Sequence, residues 1–301
     1  DLAGYDVSKF NTTTLSLMLS SSATPGEATA SLYSGIWSSQ DGYDINTVSR
    51  TFTGTGSNAN DLRIGDSIAW SSNRLILNAA NNIEIDATMD GSGAAQLSML
   101  YGQGAVAAGN TSTYNINAPV NLPEGNNFST KLGSDGTTIN YYVITSLGAQ
   151  GSATATDLQG MSGDLTRNYA LGSNINAGDT ASWDSGAGFA PIGNDSTKFT
   201  GKFEGLGHTI SDLTINRPAQ DYVGLFGWLG SGGDVRNVGL IDGNVSGSNC
   251  VGGLIAVSEG TVKNSHSTNS VTGWYEVGGL VGFNAGVIEN SYTTGSVSGI
   301  S

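Results

Sequence analysis

Apolar residues in this 301-residue chain fall in short runs of three to five, separated by Gly, Asn or Ser. No stretch keeps the i, i+3, i+4 spacing of a helix over three turns, so the pattern predicts strands. Leu75-x-Leu77-x-Ala79, Ile83-x-Ile85-x-Ala87 and Leu97-x-Met99-x-Tyr101 alternate with period two, and Asn-Asn and Asp-Gly-Ser-Gly turns punctuate them. Leu75 to Leu97 is 22 residues, a plausible length for one solenoid coil. Tyr141-Tyr-Val-Ile and Tyr169-Ala-Leu read as further strands, and Thr156-Asp-Leu-Gln-Gly-Met as one short capped helix. The Ser-Ser-Ser-Ala-Thr-Pro-Gly stretch around residue 23 reads as a loop or insertion.

Towards the C-terminus the pattern becomes a repeat. VGLFGWLGSGGDVRNVGLIDGNVSG from Val223, VGGLIAVSEGTVKNSHSTNSVTG from Val251 and VGGLVGFNAGVIENSYTTGSVSG from Val277 share one frame. Val251 to Val277, Val262 to Ile288 and Asn264 to Asn290 are each 26 residues, and Val235 precedes Val262 by 27. A period of this size with several short strands suits a solenoid, whose coils stack at about 4.8 Å and line up equivalent residues in ladders. Counting back, Ile210, Val235, Val262 and Ile288 are expected to form an inward ladder, and Asp212, Asn237, Asn264 and Asn290 a corner ladder. Between them Ser211, Arg236, Lys263 and Glu289 are expected to face water, with Lys263 beside Glu289. Gly247, Gly273 and Gly299 mark a corner expected to need an unusual backbone conformation. The fold class expected is all-β, a right-handed parallel β-helix with short loop insertions. Residues 1–60 read as irregular coils or an insertion, 61–118 as plain coils, 119–170 as a connecting segment and 171–301 as the repeat coils, in one continuous solenoid.

Composition narrows the function. Charged residues are 12% of the chain, against about 25% in ordinary soluble domains. The net charge of −14 with 11 Lys and Arg leaves no cation cluster for nucleic acid, so no nucleic-acid partner is expected. Cys250 is the single cysteine, which rules out an intrachain disulfide and a cysteine-based zinc site. No apolar run reaches the ~18 residues of a membrane-spanning helix. Without an initiator Met or signal peptide, and with its last residue inside a repeat, the chain reads as a trimmed piece of a longer protein.

The units VGGLVG…IxNSYTTGSVSG resemble GLUG repeats, and FTGKFEGLGHTISDLTINRP…DYVGLFG resembles the segment that opens a GLUG array. Upstream, NRLILNAANNIEIDATMDGSG resembles the coils of filamentous-haemagglutinin-like exoproteins, the secreted member of two-partner secretion systems. NLPEGNNFSTKLGSDGTTINYYVITSLG resembles the stretch that joins such coils to GLUG arrays. The resemblance covers residues 55–301. It implies a right-handed β-helix, export through an outer-membrane β-barrel partner, an extracellular or bacterial cell-surface location, and a role in adhesion, aggregation or biofilm formation. GLUG repeats also occur in other large surface proteins, some of them proteases, so the repeat does not fix an activity.

Chemistry for catalysis is sparse. His208 in GLGHTI is expected to be structural and His266 an exposed, variable side chain. Glu259 and Glu276 fall at different points of the repeat, so no carboxylate pair of the kind polysaccharide-active β-helices use is expected. Neither GGxGxD nor a DxDxDG loop occurs, and Asp41, Asp44, Asp86 and Asp90 read as turn residues. No catalytic residue, metal or cofactor is therefore expected. Sequons at Asn11, Asn110, Asn127, Asn194 and Asn244 read as accidents of an Asn/Ser/Thr-rich composition. The aromatics Trp228, Trp274, Tyr275 and Tyr292 lie off the Val/Ile core positions and could stack on sugar rings or cover coil edges. The leading expectation is a structural or adhesive shaft. The alternatives are a carbohydrate-binding module for surface glycans or matrix polysaccharide, and chains that associate end to end at exposed strand edges.

Overall fold

A strand of three residues buries one side chain and holds its neighbours by backbone hydrogen bonds, so strands this short persist only when stacked. The computed structural model shows that arrangement: parallel strands laid coil upon coil as a β-solenoid, with 3₁₀ turns in place of any long helix. It describes residues 59–299, and before them the backbone of Ser20–Ser21, Gly26–Ala30 and Arg50–Thr53. Asp41, Asp44 and Asn11 lie outside the described residues, as does most of segment 1–60. Ser20–Ser21 pairs antiparallel with Gly26–Ala30.

The chain divides into two units, residues 1–141 and 142–301. In the first, each coil has three faces. Leu62 and Ile64 stack on Ile83 and Ile85, which stack on Tyr114 and Ile116. Ile68 stacks on Met89 and then Val120. Leu75 and Leu77 stack on Leu97 and Met99, then on Phe128 and Thr130. The 22-residue step from Leu75 to Leu97 is thus a true coil, and the alternating residues Leu62, Ile64, Leu77, Ile83, Ile85, Leu97 and Met99 are fully buried.

In the second unit a complete coil has five faces. In one coil these are Asn249–Gly252 (face I), Ile255–Ser258 (II), Thr261–Lys263 (III), His266–Ser267 (IV) and Ser270–Gly273 (V). The next coil repeats them in register from Tyr275–Gly278 to Val297–Gly299. Face III carries the inward ladder Tyr169, Phe203, Val235, Val262, Ile288. Val235 and Val262 are fully buried, each worth roughly 1.5–3 kcal/mol. Ile288, on the last described coil, is 40% exposed.

Three expected ladders need correction at their first member. Ile210 stacks between Ile175 and Leu240 on face IV, and Phe203 takes its place below Val235. Asp212 follows it into the next corner, where its backbone N–H donates to Ile241. Ser211 lies beside Ile241, and Glu204 takes its place below Arg236. Glu204 does not face water: it is 1% exposed, and its carboxylate accepts from the Leu206 N–H and the Asn237 side-chain amide. Lys263 and Glu289 are neighbours, with Nζ 3.3 Å from the carboxylate.

Asn237, Asn264 and Asn290 turn the III–IV corner with φ of 55°, 51° and 49°. This left-handed conformation is one that Asn tolerates better than most residues. Their amides also link coils, Asn264 Nδ2 donating to Asn237 Oδ1 (3.1 Å) and Asn237 Nδ2 to Glu204 (2.9 Å). The glycines of the V–I corner serve another purpose: among positive-φ glycines neither Gly247 nor Gly273 appears. A Cβ on Gly247 would meet Val223 and Val251 at 2.8 Å, and one on Gly273 would meet Val251 at 2.7 Å. Space, rather than backbone conformation, excludes a side chain there. The helix expected at 156–161 is a 3₁₀ turn, Gln159–Gly163, held by Asp157, whose carboxylate accepts from Ser152, Thr154 and the Gly160 N–H.

Candidate functional surface

The second unit departs from its regular coils on one side, where two loops protrude. Ile192 sits opposite Phe226 and Phe199 opposite Leu229, so the lower chain uses seven steps where the upper uses three. The surplus, residues 193–198, loops outward. Asn194 fixes the loop by accepting from the backbone N–H of Ser196 and Thr197 (3.0 and 2.8 Å). At its end, Lys198 lies 4.8 Å from the centre of the Trp228 ring and donates to the Glu259 carboxylate at 2.8 and 3.0 Å. That bond holds the Glu259 carboxyl below the usual carboxylate range.

The second loop, 217–222, leads from face V to face I. It ends on Tyr222, which has φ of +61° and lies 5.0 Å from Trp228, ring to ring. Tyr222, Cys250 and Glu276 occupy one corner of successive coils, all with positive φ. The Cys250 thiol donates to Glu276 at 2.6 Å, and burial, with the carboxylate beside it, pushes its pKa up to about 12. A thiol so held is a poor nucleophile. Between the two loops lies a cleft of about 460 Å³, lined by Asp195, Arg217, Gln220, Asp221 and Tyr222 among others.

The four aromatics singled out in the sequence do not converge. Trp228 is partly covered on face II, Trp274 and Tyr275 lead from face V into face I, and Tyr292 is on face IV. Trp274, Tyr275 and Tyr292 are 59%, 57% and 58% exposed. Tyr292 stacks on His266 at 5.2 Å, nearly parallel, so His266 is half-buried rather than exposed, and burial lowers its pKa. His208 is 2% exposed and meets Asn174 Oδ1 at 3.2 Å. In the first unit Asp86 is paired with Arg63 and Asn117, and Asp90 accepts from Asn121. Glu276 is joined to Cys250 and Glu259 to Lys198, two separate partnerships on different faces. The cleft residues were not singled out from the sequence. The available signal was the Arg217–Tyr222 stretch, RPAQDY, which lengthens one repeat relative to the next two.

The GLUG motif model matches residues 275–298, the last described coil. Over 125 residues, 39% of the chain, the sequence is 43% identical to Halomucin of Haloquadratum walsbyi. Over 55 residues, 18% of the chain, it is 44% identical to a Gly-rich membrane protein of Evansella cellulosilytica. The chain spans about 1% and 6% of the lengths of these two proteins. No solved structure matches it. No helix among the described residues is long and apolar enough to cross a membrane.

Proposed function

We propose that this chain is a shaft segment of a large secreted or cell-surface protein, acting through length and a repetitive surface rather than through catalysis. The observation that carries this reading is the in-register stacking of GLUG-type coils on all five faces, with Glu204, Glu276 and His208 engaged in local hydrogen bonds. The matches to Halomucin and to a Gly-rich membrane protein support a surface or secreted location. The finer form of the proposal is adhesion: contact with surface glycans or matrix polysaccharide, leading to aggregation or biofilm formation. Export through an outer-membrane β-barrel partner, as in two-partner secretion, rests on the resemblance of residues 73–93 to haemagglutinin-type coils.

Beads coated with the purified chain test the reading. Clumping, or retention on cells or matrix above that of uncoated beads, is the expected result. Release of reducing sugar from a matrix polysaccharide by the same chain would overturn it. A second reading, end-to-end association, is favoured by the solenoid architecture, in which parallel strands pair coil to coil through edges that a further coil can extend. Sedimentation that stays monomeric at high concentration would remove it.

A further inference from the structure

We infer that the cleft between loops 190–197 and 217–222 binds a neutral saccharide. Its volume of about 460 Å³ falls within the roughly 300–1,000 Å³ typical of ligand sites. The inference is independent of the shaft reading and does not use the three exposed aromatics on faces I, IV and V.

Three observations carry it. The first is an aromatic wall held in place from behind: Tyr222 is backed by Trp228, which is covered in turn by Lys198. An aromatic face of this kind matches the C–H face of a pyranose ring.

The second is a set of planar polar groups with hydrogen-bonding capacity left over. Arg217 spends Nε on Phe189 O and Nη2 on Gly188 O and Asp184, which leaves Nη1. The Tyr222 hydroxyl and the Gln220 side-chain amide have no hydrogen-bond partner among the described residues. Asp195 accepts one long bond, from Ser196 at 3.3 Å. Donors and acceptors in planar pairs suit vicinal hydroxyls, which offer both.

The third is charge. Asp221 is held ionised by the Asn249 backbone N–H and side-chain amide. Asp195 adds a second exposed carboxylate, while the single cation, Arg217, is already paired with Asp184. Such a cleft repels a uronate, sulfate or phosphate, which selects a neutral sugar over an anionic one. Both walls are set before a ligand arrives, the first by the two bridges and the Asn194 turn, the second by Ser248 N–H donating to Gln220 O at 2.7 Å.

The test is backbone-amide NMR of the whole chain titrated with cellotriose, maltotriose, α-mannobiose and N-acetylchitotriose as neutral probes. Trigalacturonate serves as the anionic probe and putrescine as the cationic one. At least one neutral probe is expected to shift amides in 193–197 and 217–222, with millimolar affinity. Asp195→Ala with Gln220→Ala, both exposed positions that leave the fold intact, should weaken binding at least about 10-fold. Tyr222→Phe should weaken it less, and Trp274→Ala with Tyr292→Ala should leave it unchanged. The inference is overturned if no neutral probe moves these amides, if the Asp195/Gln220 double variant binds as the parent does, or if only the anionic or cationic probe binds.

Discussion

The coils of the first unit and those of the second solve the same stacking problem by different means. In the first, each coil has three faces and strands of up to eight residues, so Leu62 with Ile64, Ile83 with Ile85, and Leu97 with Met99 enter the core in pairs. Side-chain alternation sets the register there, because a one-residue slip would turn every apolar side chain to solvent. In the second, the face III strands carry three residues and one inward side chain, as with Val235 and Val262. One side chain per strand specifies register weakly. The corners supply what is missing, through left-handed Asn residues whose amides bond to the coil below, and through glycines against which the next valine packs. Apolar alternation specifies the first kind of coil and corner chemistry the second.

Core truncation should produce the largest effects and should not separate the units. Phe203→Ala, which removes an edge-on contact with Phe226 at 5.3 Å, should cost about 3–5 kcal/mol, and Leu97→Ala about 2–5 kcal/mol, read from urea unfolding. Corner substitution should separate them. Asn237→Gly, which keeps the left-handed backbone, strips the buried Glu204 carboxylate of a donor and Asn264 of an acceptor, and should cost about 1–3 kcal/mol. Asn290→Gly, at the same left-handed corner on the exposed last coil, should cost under about 0.5 kcal/mol. Equal costs at the two positions would sink the claim that corner amides tie coil to coil.

Acid should weaken both units, by less than these substitutions do. Asp86 is held below the ordinary carboxylate range chiefly by the Asn117 amide, with Arg63 adding to it, and Asp221 chiefly by the Asn249 N–H. A carboxyl whose folded pKa is depressed contributes stability that is complete above its unfolded value, about 4, and is lost as pH falls through the folded value. Unfolding midpoints should therefore drop below about pH 4, and Asp86→Asn or Asp221→Asn should flatten the drop. Glu84 acts in the opposite sense: burial raises its pKa, so its contribution is lost as pH rises through that value. Glu84→Gln should accordingly stabilise the first unit at neutral pH. The smallest effect belongs to Lys263 and Glu289. Glu289→Gln should change stability by a few tenths of a kcal/mol, because the glutamate is half-exposed.

The sequence made the fold class and the 22-, 26- and 27-residue registers readable, because those coils carry no insertions where the count was made. The ladder failed at Ile210 and Asp212 for a physical reason. Phe203 to Ile210 is longer than Val235 to Leu240, since Leu206 and Gly207, both with positive φ, widen that corner. A fixed count backwards from Val235 therefore lands on the neighbouring face, where Ile210-Ser-Asp212 mimics Val-x-Asn. The better signal was Asp212 with Asp242 and Ile215 with Val245, which keep one spacing through faces IV and V. The cleft was hidden because its two walls are loops 20 or more residues apart that meet only after the coil closes.

The register of the repeat coils is the central claim, and paired nitroxide labels test it most directly. With Cys250→Ser as background, labels at Arg236 with Lys263 and at Lys263 with Glu289 should sit one strand spacing apart, about 4.8 Å along the stack, and Arg236 with Glu289 two. The expected result is strong dipolar broadening for both adjacent pairs and weaker broadening for the third, with Ser211 coupling more strongly to Ile241 than to Arg236. Uncoupled spectra for Lys263 with Glu289, or Ser211 coupling to Arg236 in preference to Ile241, would contradict the stacked-coil account.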